Sequence, residues 1–108
     1  MKKVFISQRR NQRTEEEMMY EMNNIIETLE ETLDDEFEII DSHIKEEPSK
    51  DKNRSVWLLS KAIEKLAEAN IIVFAPLWEL ERETEIEHEI ARLYKIPKIE
   101  IVSIGDFS

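Results

Sequence analysis

The chain has 108 residues, no cysteine and a formal net charge of −10. That length makes one domain, able to bury roughly two-thirds of its unfolded surface around a single core. The missing cysteines exclude disulfides and thiolate metal sites, and the acidic balance argues against a nucleic-acid-binding face, which must be basic.

In MKKVFISQRR the apolar run is too short for a signal peptide or a membrane span, so a cytoplasmic protein with no membrane partner is expected. Lys3 to Ser7 predicts the first strand. The polar loop Gln8 to Arg13 concentrates Arg9, Arg10 and Arg13 in an otherwise acidic chain, either as a solvated loop or as an anion site. Thr14-Glu15-Glu16-Glu17 reads as a capping box. Behind it, Met18, Met22, Ile25, Ile26, Leu29 and Leu33 recur at helical spacing. The methionines read as core filling.

Phe37 to Asp41 predicts a second strand. From Ser42 to Asn53 the chain is polar and aperiodic, with Pro48, at a length where loops often carry function. A second helix is expected from about Ser55 to Glu68. Val56, Leu59, Ile63 and Leu66 form its stripe, and Trp57, Leu58 and Ala62 widen it. Such width points either to contact with another subunit or to deeper burial. Ile71 to Ala75 is an unbroken apolar run, as in a central parallel strand covered on both faces, and Pro76 ends it. A loop from Leu77 to Glu83 carries Trp78. A third helix is expected from Thr84 to about Lys95, with Ile86, Ile90, Leu93 and Tyr94 facing inward. Lys98 to Val102 closes the pattern as a fourth strand, with Ile104 close behind.

Strands and helices alternating in this way predict an α/β domain over residues 1–108, with a parallel sheet and right-handed crossovers. In such sheets ligands bind beyond the carboxyl ends of the strands. The expected site walls are therefore Ser7 to Arg10, Asp41 to His43, Pro76 to Trp78 and the start of the third helix.

That start, TEIEHEIA from Thr84 to Ala91, is dense in ionisable residues. His88-Glu89 begins like the zinc motif HExxH, but Arg92 stands where the second histidine belongs. Glu85 and His88 have the ExxH spacing of di-iron bundles, which need two copies on four long helices. No metal is expected. With Thr84 as N-cap, Glu87 would complete a second capping box and the glutamates would complement the helix dipole; His88 is then a surface residue. The same physics allows chemistry. A first-turn glutamate held ionised at the carboxyl edge of the sheet can attack an anomeric carbon and carry a glycosyl intermediate. Spacing alone favours the capped helix start.

The runs FISQ, IIDS, AEANIIVFAPLW and IEHEIARLYKIP, in this order and spacing, resemble the nucleoside 2-deoxyribosyltransferase superfamily, most closely its short phage and bacterial members of unknown function. The resemblance spans roughly Lys3 to Val102. It implies a three-layer flavodoxin-like fold, with four strands in the order 2-1-3-4, three main helices and assembly into dimers or larger homo-oligomers. It also implies that Glu87 is the nucleophile that attacks C1′ and expels the base. Glu81 would handle a proton or orient the base, and Ser7 and Gln8 would contact the sugar or phosphate side. Apart from the resemblance, Arg9 and Arg10 are candidates either to receive a 5′-phosphate or to be surface residues paired with nearby acids, and Asp41, Pro76, Trp78 and Thr84 belong to the walls expected at the carboxyl ends of the strands. The partner is a nucleoside or nucleotide, and no cofactor is implied.

The chain departs from the family at Arg9 to Gln12, where a glycine turn is usual, at Glu83, where glycine commonly precedes the nucleophile helix, and at Ala62, near which a second carboxylate would hold the sugar. Gly105 is the only glycine. These departures favour an alternative: a nucleotide-binding protein that sequesters or senses its ligand without turnover. An interaction protein using the broad face of the second helix is a third possibility.

Overall fold

The computed structural model describes residues 1–42, 44 and 46–102; His43, Ile104 and Gly105 lie outside the described residues. The elements are β1 (Lys2–Ser7), α1 (Glu15–Thr32), β2 (Phe37–Ile39), α2 (Arg54–Leu66), β3 (Ile71–Phe74), a 3₁₀ turn (Trp78–Leu80), α3 (Arg82–Leu93) and β4 (Lys98–Glu100). The four strands form one parallel sheet in the order β2-β1-β3-β4, the flavodoxin-like α/β arrangement expected. The outer strands are shorter than the sequence predicts, three residues each. Among the described residues no helix is long and apolar enough to cross a membrane.

Side-chain alternation along the strands builds two cores. Val4 and Ile6 of β1, with Ile71, Val73 and Ala75, pack under Ile25 and Leu29 of α1. Phe5, Ile72 and Phe74 point the other way, against Leu66 of α2 and Ala91 of α3. Both central strands are thus buried on both faces, and each large apolar side chain so covered contributes about 1.5–3 kcal/mol. The same alternation puts Ser7 on the α2/α3 face with Phe5, opposite Phe74 of β3 in register.

The first capping box forms as expected. Glu17 N donates to Thr14 Oγ1 over 3.1 Å, and Thr14 N donates back to Glu17 Oε1 over 3.0 Å. The second does not form. Helix α3 begins two residues before Thr84, with Glu81 at the N-cap. Thr84 therefore lies inside the helix and its hydroxyl donates to the carbonyls of Trp78 and Glu81. This start also changes which face is buried. Thr84, Glu87 and Ala91 make the inward seam, while Leu93 and Tyr94, expected inside, are 58% and 75% exposed. Only small or polar side chains follow the seam where α3 crosses β3; Ile86 and Ile90 flank it, half-buried.

Without glycine among the described residues, left-handed backbone falls to Gln12, Leu77 and Lys95, at φ 58°, 65° and 57°. Lys95 turns the chain out of α3, and Ile96 N closes the turn on the carbonyl of Ala91 at 3.0 Å. A side chain in this conformation costs energy that glycine avoids.

Candidate functional site

Strand β1 leads into the site. The sheet order reverses direction at β1, from which the chain steps first to β2 on one side and later to β3 on the other, so the topological switch point lies between β1 and β3. Ser7 is the last residue of β1 and is 1% exposed; Glu87, on the buried seam of α3, is 5% exposed. Ser7 Oγ donates to Glu87 Oε1 over 2.6 Å, joining residues 80 positions apart in sequence.

Burial pushes the Glu87 carboxyl up to about 7. The Ser7 hydrogen bond and the nearby Arg10 charge pull it down, while Glu81 and Glu83 push it further up. An ionised Glu87 at the helix start was expected. The earlier start of α3 moves Glu87 into the second turn, where the dipole fades, and loss of water outweighs the charged-form interactions.

Glu81 shapes the loop after β1. Its Oε2 accepts from the backbone N–H of Arg10 at 2.8 Å and of Asn11 at 3.2 Å. The other side of that loop is tied to α1: Gln8 Nε2 donates to the Met18 carbonyl at 2.8 Å and to Glu21 Oε1 at 3.1 Å. Arg13 donates to the same carboxylate at 3.0 Å and to the Arg9 carbonyl at 2.9 Å. The arginine cluster therefore divides its roles. Arg13 is part of this tie, Arg9 leaves Nε buried without a partner among the described residues, and Arg10 alone of the three lines the cleft.

That cleft has a volume of about 330 Å³, at the lower end for small-molecule sites. Ser7, Gln8, Arg10, Glu81, Thr84 and Glu87, all expected from the sequence, line it together. Arg9, Asp41, Pro76 and Trp78 do not. Asp41 borders a small groove beside Lys3 and Lys65, and Pro76 borders an open groove of about 1010 Å³ along α1 that contains none of Ser7, Glu81 or Glu87. Trp78 stacks on His88, with ring centroids 3.6 Å apart and planes within 7°. His88 Nε2 also meets Glu100 Oε2 at 2.9 Å, so this histidine is a packed link between α3 and β4, not the surface residue expected. Its bond to Glu100 holds that carboxyl below its usual range.

Sequence reasoning missed Asn11, Ile44, Arg54 and Ser55 as cleft walls. Leu58, Leu59 and Ala62 line it too, so part of the broad apolar stripe of α2 is cleft wall. That breadth was the one available signal. Arg54 and Ser55 open α2 without any motif to mark them.

No family model, curated protein or solved structure matches this chain. What the cleft can do follows from its own chemistry. A carboxyl group sits at its inner wall, screened from water, oriented by a hydroxyl and titrating near neutrality. Such a group serves as a nucleophile when ionised and as a general acid or base across neutral pH. Among the described residues no group of three or more His, Asp and Glu side chains is placed to hold a metal ion.

Proposed function

We propose that this protein acts on the N-glycosidic bond of a nucleoside or nucleotide, with Glu87 as the nucleophile. The observation that carries the reading is the buried Ser7–Glu87 pair at the switch point of the sheet, facing a cleft of nucleoside scale. The resemblance of IEHEIARLYKIP to the nucleophile helix of the nucleoside 2-deoxyribosyltransferases supports it. An ionised Glu87 oxygen bonds to C1′ as the C1′–N bond breaks, and the base leaves with that electron pair and takes up a proton from solvent, which regains one when the incoming water or base attacks C1′. Water or a second base then attacks C1′ and releases the Glu87 carboxylate. Ser7 orients the carboxylate. Glu81, whose Oε2 is committed to two backbone amides, acts as a positioning residue that holds the Arg10 loop at the cleft.

A second reading is nucleotide binding without turnover. It is favoured by Ala62, which lines the cleft where the transferases carry a sugar-holding carboxylate. One experiment separates the two. The protein is incubated with the common deoxynucleosides and deoxynucleoside monophosphates, and free base is quantified by chromatography, with Glu87→Ala as control. Base release lost in the variant, and rising with pH to a plateau above about 7, is the expected result. Binding with no base released from any substrate would replace the catalytic reading with the second.

A further inference from the structure

Three glutamates, Glu81, Glu83 and Glu87, line the cleft of a chain whose net charge is −10. Two arginines nevertheless line it from separate elements: Arg10 from the loop after β1 and Arg54 from the first residue of α2. The two differ in their commitments. The backbone of Arg10 is held by Glu81 at 2.8 Å, but its guanidinium makes no hydrogen bond or ion pair among the described residues. Arg54 faces Glu47 in a fork, Nε to Oε2 at 3.3 Å and the terminal nitrogen to Oε1 at 3.4 Å. Both distances exceed those of well-made charge-assisted hydrogen bonds, and both side chains are mostly exposed, the setting in which ion pairs contribute least. Glu47 thus presents to Arg54 the two-oxygen geometry of a phosphate, and holds it weakly.

Resting on the reading of the cleft as a nucleoside or nucleotide site, we propose that the substrate is phosphorylated: its phosphate displaces Glu47 from Arg54 and is gripped by Arg54 and Arg10 while Glu87 faces the sugar. The planar guanidinium matches a phosphate as it matches a carboxylate. A phosphate carries more charge than the carboxylate it replaces and gains Arg10 as a second partner. The two arginines offset the charge that a phosphate would otherwise bring close to three glutamates.

The test is calorimetric binding of the common deoxynucleoside 5′-monophosphates and their parent deoxynucleosides to the Glu87→Gln protein, which cannot turn them over. The monophosphate is expected to bind at least about tenfold more tightly, and Arg54→Ala to reduce that preference about tenfold or more. Glu47→Gln, which removes the competitor, is expected to tighten monophosphate binding about two- to fivefold. It is expected to have no such effect in the Arg54→Ala background. Arg54 and Glu47 are surface residues, and their substitutions act in opposite directions, so misfolding cannot imitate the pattern. If nucleosides bind the Glu87→Gln protein, or are cleaved by the wild type, as well as their monophosphates, the phosphate grip is wrong and the N-glycosidic reading stands. A Glu47→Gln protein unchanged in monophosphate affinity overturns the displacement. If neither ligand class binds and neither yields base, both proposals fall.

Discussion

The buried Glu87 carboxyl makes a stability prediction that is independent of substrate. Its pKa moves from 4.5 to about 7 on folding, so the folded chain binds this proton more tightly than the unfolded chain. At about 1.4 kcal/mol per tenfold, ionising Glu87 in the folded state costs about 3 kcal/mol more than in the unfolded state. The sign is fixed by linkage. The contribution is fully present below pH 4.5 and is lost as pH rises through about 7. In a domain of this size the whole stability is roughly 5–15 kcal/mol, so the effect is large. Glu87→Gln keeps the shape, keeps an oxygen to accept from Ser7 and removes the titration. Urea denaturation of both proteins at pH 5 and pH 8 isolates the term, because other ionisable groups cancel in the comparison. Between those pH values the Glu87→Gln protein is expected to gain about 2–3 kcal/mol relative to the wild type. A difference that stays constant would refute the claim that Glu87 is desolvated beside Ser7.

Three further outcomes are expected. In Ser7→Ala the Glu87 carboxyl loses its hydrogen-bonding donor, so its titration midpoint, followed by carboxyl carbon NMR, should move above about 7; a midpoint that falls contradicts the assigned balance. Glu81→Ala leaves the amides of Arg10 and Asn11 without their acceptor. It should cost roughly 1–3 kcal/mol and speed hydrogen exchange at those two amides above all others in the loop. Lys95→Gly relieves the left-handed backbone after α3 and should raise stability by about 1 kcal/mol, visible as an upward shift of the thermal midpoint; a lower midpoint would mean that the Lys95 side chain contributes more than its backbone costs.

Local pattern was enough for the fold because each element is specified by near neighbours. The run at Ile71 to Ala75, the capping box at Thr14 and the helical spacing from Met18 to Leu33 all became what their spacing implies. The third helix shows where such reasoning stops. T-x-x-E at Thr84 satisfies the capping rule, yet the helix starts earlier, and the Thr84 hydroxyl and the Glu87 carboxyl take partners elsewhere.

The sequence by itself determined the alternation of strands and helices, the crossovers that make the sheet parallel, and the sheet edge at which a ligand would sit. These follow from periodicity and chain direction. Only the tertiary structure decided which side chains meet there. Ser7 finds Glu87 because α3, packed on β3, brings Glu87 to the end of the neighbouring strand β1, Arg54 lines the cleft because α2 forms its wall across from α3, and Trp78 is withdrawn into the stack with His88. Contacts of this kind join residues far apart in the chain. They depend on how the helices cross the sheet, which no local spacing encodes.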